Sequence, residues 1–147
     1  MDEVLVRYAH FLGIIIVSMT LVSEHILLSL DTSAQKFKRL AFIDAIFGVS
    51  AVAVLTAGLL LWFVVGKPSA FYSHNWIFHT KLTVFGIIGL LSIYPTIFFI
   101  KNRNKSIEQV VVPKAVIMVL RIELTLLLII PLLAVLMAHG FGLGNSL

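Results

Sequence analysis

The segment Phe71-Tyr-Ser-His-Asn-Trp-Ile-Phe-His-Thr-Lys81 opens an apolar run that continues to Ile100. An α-helix rises about 1.5 Å per residue, so a run of this length crosses the hydrocarbon core of a bilayer. Lys81 then lies about six residues, or roughly 9 Å, inside the crossing. An ionisable side chain at that depth is costly without a partner, a cofactor or a water-filled cavity. The segment therefore predicts a membrane-spanning helix with a site near its start.

Three further apolar runs make the whole chain a candidate membrane domain. Hydrophobic residues form 60% of the 147 residues and charged residues only 12%, and the mean hydropathy is +1.07. A soluble domain of this length does not hide that much apolar surface. We predict one all-α transmembrane domain over residues 1–147, a four-helix bundle surrounded by the lipid bilayer. Its spans are expected at about 4–30, 40–65, 76–100 and 115–138.

The basic residues indicate how the bundle is oriented. The loops after the first and third spans, with their flanks, hold Lys36, Lys38, Arg39, Lys101, Arg103, Lys105 and Lys114. The other side has only Arg7 and Lys67 in its flanks. Because cytoplasmic loops carry an excess of Lys and Arg, both termini are expected on the non-cytoplasmic side. The basic residues lie in short loops, so we do not expect nucleic acid as a partner.

The ionisable residues of the predicted spans form two groups, one near each face of the membrane. Near the outer face, His10 and Lys81 lie at similar depth in the first and third helices. Three histidines lie closer to that surface: His74, His79 and His139. The inner group consists of Glu24, His25, Asp44, Arg121 and Glu123.

The outer group contains candidate cofactor ligands. The chain has no cysteine, so any metal ligand must be a nitrogen or oxygen donor, and imidazole is a common one. We name His10 and Lys81 as candidate metal ligands, with His79 and His139 as further cofactor-binding candidates. His79 and Lys81 are separated by about 200° around a helix, so only one of them faces the bundle centre. We expect Lys81 to point inward, and His79 to lie at the membrane interface or against another subunit of a homo-oligomer.

The inner carboxylates allow two interpretations. Glu24, Asp44 and Glu123 have few cations near them in the spans, with Arg121 and His25 the nearest candidates. They either form pairs that fix the bundle, or serve as catalytic or proton-carrying groups, since surplus buried carboxylates favour shared protons. Helical spacing predicts that the inward face of the first helix contains His10, Gly13, Val17 and Glu24. The inward face of the second is expected to contain Asp44, Gly48, Ala51, Leu55, Gly58 and Trp62.

Over nearly its full length the chain resembles a family of uncharacterised bacterial four-helix membrane proteins. The matching segments are Tyr8-Ala-His10-Phe, Glu24, Arg39-Leu-Ala-Phe-Ile-Asp44, Val54-Leu-Thr-Ala-Gly58, Phe71-Tyr with Asn75, Lys81, Gly89-Leu-Leu-Ser-Ile-Tyr-Pro-Thr96, Glu123, and Ile130-Pro-Leu-Leu-Ala134 with Met137. This resemblance implies a multi-pass protein of the bacterial inner (cytoplasmic) membrane, and it assigns no activity.

More distantly, the chain is similar to the HemJ-type protoporphyrinogen oxidases, small four-helix membrane proteins that bind haem b. They pair a histidine of the first helix with a His-x-Lys segment of the third, which His10 and His79-Thr-Lys81 match here. The similarity implies a haem b site with His10 as an axial ligand, and Lys81 as the other ligand or a propionate partner. It also implies an oxidoreductase, with a quinone or another membrane redox partner.

Three functions therefore stay open. The first is a haem b-binding membrane protein that transfers electrons or oxidises a porphyrinogen-type substrate. The second is a small proton-linked carrier or channel in which the buried carboxylates are the working groups. The third is a membrane assembly subunit without chemistry of its own.

Overall fold

Four long helices dominate the computed structural model, which describes residues 2–28, 31–105 and 109–143. They are α1 (Asp2–Leu27), α2 (Ala34–Phe63), α4 (Trp76–Asn102) and α5 (Lys114–Ala138). Each is long and apolar enough to cross a membrane, which confirms the all-α transmembrane architecture. The predicted end of the first span, residues 29–30, lies outside the described residues.

The helices pack in the order in which the chain makes them. α1 packs along α2, α4 packs along α5, and the two hairpins meet through α2 with α4 and α1 with α5. This is an up-down-up-down bundle, the arrangement that short connections between successive helices favour. α1 and α4 are therefore diagonal neighbours across the bundle centre.

A short antiparallel sheet ties together the two connections at one end of the bundle, which we call the strand end. Strands β1 (Asp31–Ser33) and β2 (Gln109–Val111) pair with Thr32 opposite Val110. Val110 and Val112 are buried while Val111 is exposed, the two-residue period of a strand with one buried face. Three residues are too few to show that period in the sequence, and the sheet was not predicted.

The opposite end, called the terminal end, is closed by hydrogen bonds around Asn75. A short helix, α3 (Ser69–Ser73), precedes this residue. The side-chain oxygen of Asn75 accepts a hydrogen bond from the Ile77 amide at 2.9 Å, and the side-chain nitrogen of Asn75 donates to the Phe141 carbonyl at 3.0 Å. The Trp76 amide donates to the Gly142 carbonyl at 3.3 Å. Asn75 thus caps α4 and joins it to the segment that follows α5.

Apolar side chains fill the bundle next to the strand end. The strand-end plug consists of Phe37, Leu40, Phe99, Val116 and Leu120, each without exposed surface. The Phe37 ring lies 5.7 Å from the Phe98 ring and 6.3 Å from the Phe99 ring, centroid to centroid. Every part of the plug is supplied by α2, α4 or α5, so it holds the two hairpins together.

The buried helix faces agree with the sequence-based prediction in α1 and differ from it in α2. Gly13, Val17 and Glu24 are buried on α1, as predicted. On α2, Gly48 and Leu55 are exposed, which corrects the predicted inward face. The buried residues of α2 are instead Phe37, Leu40, Asp44, Phe47, Ser50, Val54 and Ala57. Residues three or four positions apart lie on the same side of a helix, so the spacing alone allows more than one inward face for α2. In the structure the larger side chains of Phe47 and Val54 fill the core.

Candidate functional site

His10 is held against α2 by a backbone carbonyl. Its Nδ1 lies 2.9 Å from the carbonyl oxygen of Val54. A carbonyl oxygen only accepts hydrogen bonds, so Nδ1 carries the hydrogen and the neutral ring keeps the Nε2 lone pair free. Hydrogen bonding of one ring nitrogen to a carbonyl is also how metal-ligating histidines are oriented.

Glycines allow this close approach of α1 to α2. A Cβ atom added to Gly58 would lie 3.3 Å from Cε1 of His10. A Cβ atom added to Gly13 would lie 2.6 Å from Cγ2 of Val54. Larger residues at either position would separate the helices or displace the imidazole. The small residues near His10 therefore set the position of its ring.

Lys81 lies on the diagonally opposite helix, half-buried, and its charge is near enough to act on His10. Its Nζ is 6.0 Å from the centroid of the Phe78 ring. Among the described side chains, the ion pair that forms is between Arg7 and Glu3 at the surface, so no described carboxylate pairs with Lys81. We call His10 and Lys81 the basic pair.

The other histidines of the outer group do not join the basic pair. His79 is exposed, as its rotation from Lys81 predicts, and its Nε2 lies 2.9 Å from the Ser73 carbonyl oxygen. His74 and His139 are also exposed, and each directs Nδ1 to a carbonyl four residues earlier. A cofactor role for His79 or His139 stays a prediction.

Three buried carboxylates converge nearer the strand end. Glu24 of α1 is 1% exposed, Asp44 of α2 is 5% exposed and Glu123 of α5 is 0% exposed. All three lie within electrostatic reach of one another. The fourth helix, α4, contributes Thr96, whose Oγ1 donates to Oδ1 of Asp44 at 2.9 Å. We call Glu24, Asp44 and Glu123 the carboxylate cluster.

The cluster is not neutralised by cations in the part of the chain that the structure describes. Arg121, two residues before Glu123, is exposed on the other side of α5. Oε1 of Glu24 and both carboxyl oxygens of Glu123 are buried without a hydrogen-bond partner. No group of three or more described His, Asp or Glu residues is arranged to hold a metal ion. The described geometry therefore does not support the interpretation of these carboxylates as members of ion pairs.

Sequence reasoning missed two polar residues: Thr96, which binds Asp44 of the carboxylate cluster, and Asn75, which closes the terminal end. Asn75 directly precedes the apolar run of α4, which is the pattern of an N-cap. Thr96 follows Pro95 on α4 and carries no charge, so only its place on the inward side of the helix distinguishes it. Finding it requires knowing which face of α4 meets Asp44.

The fold and the two polar sites define a multi-pass membrane protein built as a single four-helix bundle. Residues 2–142 match a family model described as "Predicted membrane protein (DUF2214)". The chain belongs to this family, which confirms the resemblance to uncharacterised four-helix membrane proteins. No curated protein and no solved structure matches the chain significantly, so the similarity to the HemJ-type oxidases stays a prediction.

Proposed function

We propose that this chain is a haem b-binding integral membrane protein with a redox role, either electron transfer or porphyrinogen-type oxidation. The observation that carries the proposal is the basic pair. His10 and Lys81 lie on diagonal helices within electrostatic reach of each other, and no described carboxylate forms an ion pair with Lys81.

Two basic side chains that face each other in apolar surroundings are unfavourable when both are charged. In their neutral forms, an imidazole and an amine each present a lone pair, and a metal ion accepts both. The Val54 carbonyl supports this role for His10, because it binds Nδ1 and leaves Nε2 free. The basic pair is thus better suited to a bound metal centre than to two isolated cations.

The donor set fits haem iron. The chain offers no thiolate, so nitrogen donors are the available strong ligands, and histidine is a common axial ligand of haem. His10 would hold the haem iron, and Lys81 would serve as a second ligand or as the partner of a haem propionate. Bound haem would supply one-electron chemistry, with its protein ligands setting the potential. The chain would orient the ring of His10 and keep the site in the apolar bundle.

The same proposal extends to location and partners. The basic loops at the strand end favour a cytoplasmic position for that end, which puts both termini and the basic pair on the opposite side. A redox protein in the bacterial inner membrane needs an electron partner there, and a quinone is the candidate we name. The exposed His79 and Arg121 leave a surface through which a homo-oligomer would form.

An absorption spectrum of the full-length protein, purified from membranes and reconstituted with haem b, tests the proposal. The wild type should give a Soret band, and His10→Ala should remove or shift it. Lys81→Gln should shift the band, or weaken haem retention if this amine only binds a propionate. His74→Ala is the matched control, because His74 is exposed at the same end of the bundle and should leave the spectrum unchanged. A wild-type spectrum without bound haem, or one that His10→Ala leaves unaltered, contradicts the proposal.

A further inference from the structure

The carboxylate cluster is separate from the basic pair. Glu24 follows His10 by fourteen residues on α1, so the two side chains are about 21 Å apart along the helix axis. The residues one turn nearer the strand end, Leu40, Phe99 and Leu120, belong to the strand-end plug. The cluster therefore lies inside the bundle, covered by apolar side chains towards the strand end.

Three carboxylates in this position do not all carry a negative charge. Moving an isolated ionised group into an apolar interior has a large desolvation cost. Repulsion between like charges that lie close together raises this cost further. Each of the four long helices contributes one polar side chain: α1 Glu24, α2 Asp44, α5 Glu123, and α4 the uncharged Thr96. His25 is half-buried one residue after Glu24, about 100° further round α1. Protons are thus the species available to neutralise the cluster.

The hydrogen bonds distinguish the three members. Among the described hydrogen bonds, the cluster accepts one from the Thr96 hydroxyl, which binds Oδ1 of Asp44 at 2.9 Å, and such a bond stabilises an anion. Both oxygens of Glu123 and Oε1 of Glu24 are buried without a hydrogen-bond partner among the described residues. A negative charge on an unpartnered oxygen is much less favourable than a neutral carboxylic acid at the same place.

We propose that the carboxylate cluster is an intramembrane proton-binding site, in which Glu24 and Glu123 each hold a proton and Asp44 carries the negative charge. Release of a proton breaks one O–H bond and leaves a carboxylate, without transfer of electrons. The ligand of the site is the hydrogen ion, and the site forms from the side chains of four helices. This holds whether or not the chain binds haem.

Infrared spectroscopy of the full-length protein in lipid nanodiscs tests the site directly. At neutral pH, the wild type should absorb at the carbonyl stretch of protonated carboxylic acids, and the band should shift in D2O. Glu24→Gln and Glu123→Gln should each roughly halve it, since each removes one of two protonated groups. Asp44→Asn should leave it in place. Glu3→Gln is the matched control, because Glu3 is exposed and paired with Arg7, and it should change nothing.

Two results overturn the proposal. One is a wild-type protein without a protonated-acid band at neutral pH. The other is a band that Asp44→Asn removes while the two glutamine variants keep it. If a glutamine variant does not accumulate in membranes, Glu123→Asp replaces it. That variant keeps a carboxylic acid at residue 123 but moves it, so its carbonyl band should persist at a shifted frequency. An unshifted band would contradict the assignment of one proton to Glu123.

Discussion

The basic pair and the carboxylate cluster both place ionisable side chains inside the membrane, but they differ in burial and in hydrogen bonding. His10 and Lys81 are half-buried near the terminal end, and Nδ1 of His10 bonds the Val54 carbonyl. Glu24 and Glu123 are fully buried, with short side chains and no partners for several of their oxygens. Burial decides the outcome: a half-buried basic side chain can still bind a ligand, whereas a fully buried carboxylate without a partner has to be neutral.

The largest expected effect concerns the strand-end plug that covers the cluster. Phe37→Ala removes a ring with no exposed surface that lies against Phe98 and Phe99. We expect a loss of about 3 kcal/mol in the free energy of unfolding in detergent. This is the low end for such changes, because lipid is itself apolar and mainly packing is lost. Phe42→Ala is the control, since Phe42 is 67% exposed, and equal losses would contradict a packed plug.

At the terminal end, stability should depend on the backbone conformation of one glycine. Gly142 has φ +85°, and a Cβ atom there would overlap Asn75 and Ile77. Gly142→Ala should therefore lower the free energy of unfolding by about 2 kcal/mol, from backbone strain and displaced hydrogen bonds. Gly86→Ala is the control, because nothing lies within 4 Å of its added Cβ. Thermal melting of both variants in detergent measures the difference, and a loss at Gly86 as large as that at Gly142 would contradict the described closure.

A third variant separates the two sites. Gly58→Leu places a side chain where the His10 ring lies, so His10 should lose its bond to the Val54 carbonyl. We expect about tenfold weaker haem retention, which is typical when the orientation of a metal ligand is lost. The infrared band of the carboxylate cluster should stay the same. Gly48→Leu is the matched control on the exposed side of α2, and it should affect neither measurement.

The smallest effect is expected from the single hydroxyl of the cluster. Thr96→Val removes the donor to Asp44 with little change of shape, and should lower the free energy of unfolding by about 1 kcal/mol at neutral pH. Thr96→Ser keeps the hydroxyl and should restore most of that loss. Chemical unfolding of the three proteins in the same detergent provides the comparison. If serine and valine behaved alike, the hydrogen bond would contribute nothing to Asp44.

The sequence predicted the parts of this molecule that a repeating signal defines. Runs of apolar residues gave the four spans, and the helical rotation between His79 and Lys81 gave their opposite directions. The inward face of α2 could not be derived, because Gly48 and Phe47 are adjacent and both lie near a possible inward stripe. The choice between them depends on which side chains fill the space against α1 and α4.

Among the residues in and around the carboxylate cluster, only the charged ones were predictable from the sequence. Glu24, Asp44 and Glu123 are conspicuous within apolar runs, so their burial was expected. Whether they meet cations or one another depends on the packing of the helices, and Arg121 proved to be on the exposed side of α5. Thr96 has no charge, and strands β1 and β2 are too short to show a repeating pattern. Their roles could therefore be seen only in the structure.

The closure around Asn75 bears on the order of events during biosynthesis. His10 and Val54 are both available once the first hairpin has been translated, so that contact can form early. Asn75 and Trp76, by contrast, find partners in Phe141 and Gly142, which leave the ribosome much later. The start of α4 consequently lacks these two bonds until α5 has been inserted, whereas the cap between Asn75 and Ile77 can form as soon as α4 is made.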